Sequence, residues 1–422
     1  MSSRSAPFLR RLASDLALFA VALALRLGLT AVYSHRHVTF SGLELGTLAD
    51  NVLAGRGFVW EFYGSTVPRY SFFPPFYPAF LAGLKAAFGS GGWVPAMQVL
   101  QAVASAAAAV ATRRLAGRLL RPALAWAAGY AVAWWPPLVI YSASAYSVTF
   151  EALAIPIIVL YLVDAGRSRR PADAARAGVA YGLLAYALPA FLGSLIFVPI
   201  GLKAMGVAWR RAFALAGVAL AVALLVVSPW TVRNAVVHHR LVPVATNLGF
   251  NYLGGQNPYA RPHTNILCAF DDLRWRVIDR EALETQNEVD FDRQLLRQGL
   301  EFARAEPLLT ARRCLTRLVY YWWGSPAVLR YNPDQGAANL VLMSVVLPFF
   351  VVGLVTTMRR AAAGFAILYG VFAWQSLFYM NFAIRGRYAM PTHPLLLIVA
   401  VAGAAVIAER ALGRARRESL AR

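Results

Sequence analysis

Acidic residues, thiols and imidazoles are all scarce in this sequence: its 422 residues hold 20 Asp+Glu against 41 Lys+Arg, with two Cys and six His. Two thiols cannot make a disulfide framework, so the fold must rest on burial rather than on cross-links. Only 14% of the residues are charged, against the roughly 25% usual in soluble domains, which leaves too little polar surface to be wetted on all sides. The run from Gly89 to Gly92 has no Lys-Ser/Thr behind it and reads as a turn, not a phosphate loop. No internal repeat is present, which disfavours an inverted-repeat transporter. His35 with His37, and His238 with His239, lack a third ligand at a diagnostic spacing. No metal site is therefore assigned, and a divalent metal stays open as a cofactor. A net charge of +21 invites a nucleic-acid reading. The arginines are dispersed rather than gathered into a stripe, so no nucleic-acid partner is expected.

What the sequence does have is apolar length, with 59% hydrophobic residues. Spanning a ~30 Å hydrocarbon slab takes about 18 or more apolar residues in a helix, and about ten runs qualify. They are Leu12 to Tyr33, Trp93 to Thr112, Pro122 to Ser142, Ser147 to Asp164, Ala174 to Leu188, Pro189 to Gly206, Ala212 to Trp230, Ala337 to Met358, Ala361 to Phe382 and Tyr388 to Glu409. Arg26 interrupts the first run and no small-residue cleavage site follows, so this run is read as an uncleaved span.

Basic residues set the orientation. With Arg4, Arg10 and Arg11 cytoplasmic, alternation places Arg113/Arg114/Arg118, Arg167/Arg169/Arg170, Lys203/Arg210/Arg211, Arg359/Arg360 and Arg414/Arg416/Arg417 inside as well. Both termini are then cytoplasmic, and membrane lipid is the surrounding partner. The expected organisation is a first span at 1–33, an outer loop at 34–92, spans two to seven at 93–232, a second outer loop at 233–335, spans eight to ten at 336–409, and a basic cytoplasmic tail at 410–422.

The two long outer segments are too long to be connectors. In the first, Leu43 to Ala54 reads as a short helix that Gly55 and Gly57 can stop. Prolines follow, and Phe76 to Phe88 is an apolar helix too short to span, placed at the interface. The second opens irregularly from Thr246 to Thr264 and then reads as an amphipathic helix pair over Asp271 to Arg304. Tyr320 to Trp323 adds an aromatic belt. Cys268 and Cys314 both fall on this outer side, where a disulfide is chemically permitted.

A charge at mid-bilayer costs roughly 2.5 to 3.5 kcal/mol on insertion scales, so membrane charges without a task are rare. Arg26, Glu151 near the outer end of the fourth span, Arg233 where the seventh emerges, and Arg385 and Arg387 between the ninth and tenth converge on the outer face. Each Arg taken singly is also explained as a snorkelling anchor. Glu44 and Asp50 lie six residues apart on the first outer helix and so face well apart. Glu44, among Leu43, Leu45 and Gly46, suits a general base, and Asp50 a solvated face. Asp290-Phe-Asp292 has the spacing of a nucleotide-sugar metal motif but no nucleotide fold around it, and reads as a solvated helix face.

The stretch Thr47-Leu-Ala-Asp-Asn-Val-Leu-Ala-Gly-Arg-Gly-Phe58 with Pro75-Phe-Tyr-Pro78 resembles the first outer loop of bacterial family-39-type glycosyltransferases of the GT-C superfamily. These are relatives of protein O-mannosyltransferases and the lipid A aminoarabinose transferase. Pro229-Trp-Thr-Val-Arg-Asn234, Pro243 to Gly249 and Gly255-Gln-Asn-Pro258 are similar to the opening of that family's second outer loop. Glu301-Phe-Ala303 with Pro307 and the Tyr320 to Trp323 aromatics resembles its interfacial helices, and Arg387-Tyr-Ala-Met-Pro391 with Pro394 its last span.

The resemblance implies an all-α polytopic GT-C-type bundle, a polyprenyl-phosphate sugar donor, an outer-face site and inversion at the anomeric carbon. It also implies an Asp base at the start of the first-loop helix, where this sequence has Ser41. Either Glu44, the nearest carboxylate, takes over that role, or the activity is lost or changed. The phosphate clamps would be Arg233, Arg385 and Arg387, with Arg69 or Arg26 in addition, because guanidinium forks match phosphate oxygens. Ser41, Tyr77, Glu151 and Asn234 would line the pocket, and the acceptor would be a lipid, a glycan or a protein. The rival readings are a lipid or oligosaccharide flippase, which needs ionisable groups at the midplane, and a non-catalytic scaffold of GT-C type.

Overall fold

In this computed structural model, residues 5–37, 43–61, 65–261, 275–326, 333–359, 363–383 and 386–420 are described. In chain order the helices are α1 (Ser5–His37), α2 (Leu43–Leu53), α3 (Phe76–Leu119), α4 (Pro122–Ala133), α5 (Pro136–Ser142), α6 (Val148–Ser168), α7 (Pro171–Ala185), α8 (Val198–Ala204), α9 (Trp209–His238), α10 (Leu248–Gly255), α11 (Arg280–Thr285), α12 (Glu288–Ala305), α13 (Pro307–Trp323), α14 (Pro333–Arg359), α15 (Phe365–Tyr379) and α16 (His393–Leu420). A 3-10 stretch, Pro189–Phe197, leads into α8. A two-residue ribbon, β1 (Trp60–Glu61) antiparallel to β2 (Pro68–Arg69), is the sole sheet among the described residues.

Six stretches, in α1, α3, α6, α9, α14 and α16, are long and apolar enough to cross a membrane, and α4 with α5 makes a seventh when read as one span bent by 47°. The protein is thus an all-α, multi-pass membrane protein. The other three expected spans are helical but short: α7 and α15 have 15 residues each, and Pro189–Ala204 divides between 3-10 and α geometry. The expectation of about ten spans is therefore matched by ten helical segments, of which three fall below the length of a full crossing.

The α3 stretch of 44 residues would be roughly 66 Å long if straight, about twice a bilayer core. Gly89, at φ 65° and ψ −172°, breaks it and separates the Phe76 to Phe88 portion from the span. The span core is one cluster, in which Ile155 and Leu162 of α6 meet Ala106 and Ala109 of α3, Leu18 of α1 and Ile398 of α16. Helices α14 and α16 touch backbone to backbone: a Cβ on Gly353 would lie 2.0 Å from the Val399 carbonyl oxygen, and one on Gly403 1.9 Å from that of Phe349. Only glycine permits that approach, the usual way helices gain contact in lipid.

The two long segments around residues 48–72 and 250–295 fold as one body. Leu48, Trp60 and Phe72 of the first share a core with Phe250, Leu253, Leu283, Phe291 and Leu295 of the second. Its centre is polar. Glu288 at the start of α12 is 5% exposed and accepts from the Tyr70 amide (2.6 Å), the Ser71 amide (3.0 Å) and the Thr246 hydroxyl. Ser71 Oγ donates to Asn234 Oδ1 at 2.8 Å and sits 2.8 Å from His238 Nε2, tying α9 to the same point. Asn287 caps α12 by accepting from the Val289 and Asp290 amides. Cys314 is a buried free thiol, and Cys268 lies outside the described residues.

Candidate active site at the outer end of the bundle

Helix α2 lies on the first part of α3: Ala49 and Leu45 pack with Tyr77, Leu81 and Ala145. An ion pair of 2.6 Å between Lys85 and Asp50 holds the helix from its other side. Asp50 is 60% exposed there and fastens α2 to the first part of α3. Glu44, in the first turn of α2, is half-buried.

Tyr77 donates to Gln101 Oε1 at 2.8 Å, and Gln101 Nε2 donates to the carbonyls of Ser144 (2.8 Å) and Ser142 (3.1 Å). This chain of bonds orders the turn between α5 and α6, which carries Tyr146. The Arg387 guanidinium carbon sits 4.4 Å from the centroid of the Tyr146 ring and 5.7 Å from that of Tyr388. Its positive charge interacts with both Glu44 and Glu151. Glu151, 6% exposed in the first turn of α6, accepts from Ser147 Oγ.

Stacked rings close the arrangement. Tyr379 lies 5.3 Å from Tyr321 and 5.1 Å from Tyr388, and the Tyr321 hydroxyl donates to the Tyr388 carbonyl at 3.2 Å. Burial holds the Tyr321 phenol well above its ordinary pKa, so it stays neutral and a donor. Two carboxylates, one guanidinium and a wall of tyrosines thus come together from α2, the α5–α6 turn, α6, α13, α15 and the start of the last span. Among the described residues Arg387 is held by ring faces and long-range charge rather than by backbone carbonyls, so the planar fork is oriented with its N–H edges uncommitted.

The other arginines expected as clamps are spent elsewhere. Arg26, fully buried, donates to Ser105 Oγ (2.7 Å) and to the carbonyls of Ala22 (2.9 Å), Ala133 (3.0 Å) and Val132 (3.3 Å). The cause lies in the sequence of the bend: helical partners for Val132 and Ala133 would be the amides of residues 136 and 137, and both are prolines. Arg26 replaces the two missing donors, which corrects its reading as a phosphate clamp. Arg69, 2% exposed, donates to the carbonyls of Leu283 (2.6 Å) and Gln286 (3.3 Å), closes the end of α11, and lies over the Phe291 ring. Burial lowers its pKa while Glu288 and Glu284 oppose the shift, and it too is a structural cap.

Arg233 belongs to the polar centre of the outer body. It donates to the Tyr70 carbonyl (2.8 Å), Ser71 Oγ (3.0 Å) and Asn234 Oδ1 (3.0 Å), over the ring of Trp230. Asn234, fully buried, donates to the carbonyls of Val242 and Val244 at 3.1 Å each. Neither lines the tyrosine cluster. Ser41 and Arg385 lie outside the described residues. Sequence reasoning missed Tyr146, Ser147, Tyr321, Tyr379 and Tyr388 as one set. The available signal was the density of Tyr near the outer ends of the spans, which also reads as an ordinary interfacial belt. Among the described residues no three of His, Cys, Asp and Glu gather as a metal-holding group.

No family model and no curated protein matches the sequence. Solved structures do match. The archaeal oligosaccharyltransferase AglB from Archaeoglobus fulgidus, in complex with an inhibitory peptide and a dolichol-phosphate, aligns with 13% identity and a TM-score of 0.55 over 96% of this chain and 52% of that one. The apo form of the Archaeoglobus fulgidus oligosaccharyltransferase aligns with 14% identity and a TM-score of 0.54 over the same shares. ArnT from Cupriavidus metallidurans bound to undecaprenyl phosphate, at 14% identity and a TM-score of 0.40 over 95% of this chain and 77% of that one, is too loose a likeness to bear weight. The chain thus spans about half the length of the first two, and at such identity the likeness reaches the fold alone. Its arrangement of helices is similar to that of the Archaeoglobus fulgidus oligosaccharyltransferase.

Proposed function

We propose that this chain is a membrane glycosyltransferase that moves a sugar from a polyprenyl-phosphate carrier to an acceptor hydroxyl or amide at the non-cytoplasmic face, with inversion. The observation that supports the reading is Arg387, set over the Tyr146 ring and within electrostatic reach of Glu44 and Glu151. Glu44 takes the acceptor's proton as the acceptor attacks the anomeric carbon. The bond from that carbon to the phosphate oxygen breaks, and the charge developing on the phosphate is stabilised by the uncommitted Arg387 fork. A phosphate leaving group needs no proton, so one base suffices where a glycosidase uses two carboxylates. Glu151 attracts and helps to position Arg387, and Tyr77 supports the wall through Gln101.

Charge supports one side of the membrane for the site. Arg113, Arg114, Arg118 and Arg167 gather at the other end of the bundle, as the Arg118–Asp164 pair and the Arg167 bond to the Arg118 carbonyl record. A basic end is the cytoplasmic one, so the tyrosine site faces outward, in a bacterial plasma membrane with both chain ends inside. The dolichol-phosphate and peptide bound to the AglB of similar fold support a polyprenyl-phosphate donor here. The acceptor is a lipid, a glycan or a protein.

The test uses the purified full chain in lipid with a sugar-loaded polyprenyl phosphate. Release of the bare carrier phosphate, lost in Glu44→Gln while the protein still folds, is the expected result. A flippase would leave the sugar attached, and a scaffold would leave the carrier untouched; either outcome sinks the proposal.

A further inference from the structure

At the basic end of the bundle, α1, α3 and α6 enclose an open hollow of about 350 Å³. It exists because α3 presents Ala107 and Ala111 to it, four residues apart on one face, where larger side chains would close the gap. Leu16 and Phe19 of α1 and Leu153 and Ile157 of α6 form the apolar remainder. Its α6 wall runs from Leu153 to Tyr161, roughly 12 Å of helix, and its charged end, at Asp15 and Arg114, lies away from Glu151. An apolar hollow of this size gives water no partners, and emptiness would forfeit the dispersion contacts of its whole lining. Inside a bilayer the available filler is an acyl chain.

One end of the hollow is charged. Asp15 is buried there, with Arg113 Nε 2.5 Å from Oδ1 and Arg114 Nε 3.1 Å from Oδ2. Arg113 is 17% exposed and lies over the Trp126 ring, so its charge is absorbed by Asp15 and the ring together. Arg114 is 54% exposed and reaches Asp15 through Nε, which leaves the outer part of its guanidinium at the rim. The rim therefore carries a net positive charge from two arginines and one carboxylate, beside an apolar slot at the depth where lipid headgroups lie.

We propose that this hollow is a binding site for one anionic phospholipid of the cytoplasmic leaflet, with its phosphate on Arg114 and one acyl chain between Ala107 and Ala111 of α3 and Leu16 of α1. Basic pockets between spans on the cytoplasmic side attract anionic headgroups, and the guanidinium matches phosphate geometry. The lipid completes the packing of α1, whose exposed Leu16 otherwise contacts the slot alone. The site is independent of the transferase reading.

Native mass spectrometry of the full chain in detergent, with equimolar phosphatidylglycerol and phosphatidylcholine, tests it. The wild type should retain one phosphatidylglycerol with a preference of about fivefold, the size expected of a single surface guanidinium. Arg114→Gln should remove the preference while still holding either lipid, and Ala111→Phe should remove the retained lipid altogether. Equal retention of both lipids by the wild type overturns the proposal, as does a preference that survives Arg114→Gln or a lipid that survives Ala111→Phe. Ala107→Leu serves as the milder slot-filling change should Ala111→Phe fail to fold. Thermal melting gives a second readout: phosphatidylglycerol should raise the melting temperature of the wild type more than that of Ala107→Leu, and equal rises would count against the site.

Discussion

Two polar clusters sit at the same end of this protein, and they treat their arginines in different ways. Around Glu288 every charge has a near partner: the carboxylate accepts from two amides and a hydroxyl, and Arg233 donates to a carbonyl, a hydroxyl and an amide oxygen. Around Arg387 the guanidinium is sandwiched by rings and its carboxylate neighbours act at longer range. A satisfied network holds the two long segments to each other, whereas a guanidinium oriented by ring faces is suited to bind a third party. Burial alone does not distinguish them, since Glu288 and Glu151 are 5% and 6% exposed.

The sharpest way to break this contrast is at Glu44. Replacing Glu44 with Gln should cut transfer by about 10²- to 10⁴-fold, the usual worth of a general base, with an unchanged melting temperature. If the variant instead melts early with activity per folded molecule intact, Glu44 belongs with the structural cluster. Arg387→Gln should lower kcat by about 10²-fold, and Arg387→Lys should not restore it, because an ammonium has no planar fork. Full rescue by Lys would show that charge without geometry is enough and would weaken the clamp.

On the other side, Glu288→Ala orphans two amides and a hydroxyl and should cost about 3 kcal/mol of stability, read as an early thermal transition in detergent. Transfer per folded molecule should stay near wild type, and a selective loss of kcat would merge the two clusters. Asp50→Asn is expected to be the smallest change, within about 1 kcal/mol for an exposed pair and without effect on transfer. A large loss of activity there would mean that Asp50, and not Glu44, faces the acceptor.

The apolar runs and the two long outer segments were legible because lipid imposes length and composition locally, residue by residue. The span count was less so, since α7, α15 and the Pro189–Ala204 segment are short helices whose burial depends on neighbours. Glu44, Glu151 and Arg387 stood out as charges in apolar surroundings, and the structure brings them together with Tyr77. Arg26 stood out for the same reason and has a different task. Its partners, Val132 and Ala133, lie more than 100 residues away at a bend made by Pro136 and Pro137.

The sequence by itself determined that this chain lives in a membrane, which of its ends are basic, and which few residues carry charge into apolar surroundings. Only the tertiary structure decided which of those charges are already used. Hydrogen-bond satisfaction is settled by whichever groups the fold brings within about 3 Å, and neither spacing nor composition along the chain records that. Arg26 and Arg69 met orphan carbonyls and became structural, while Arg387 met the faces of tyrosines and kept its donors.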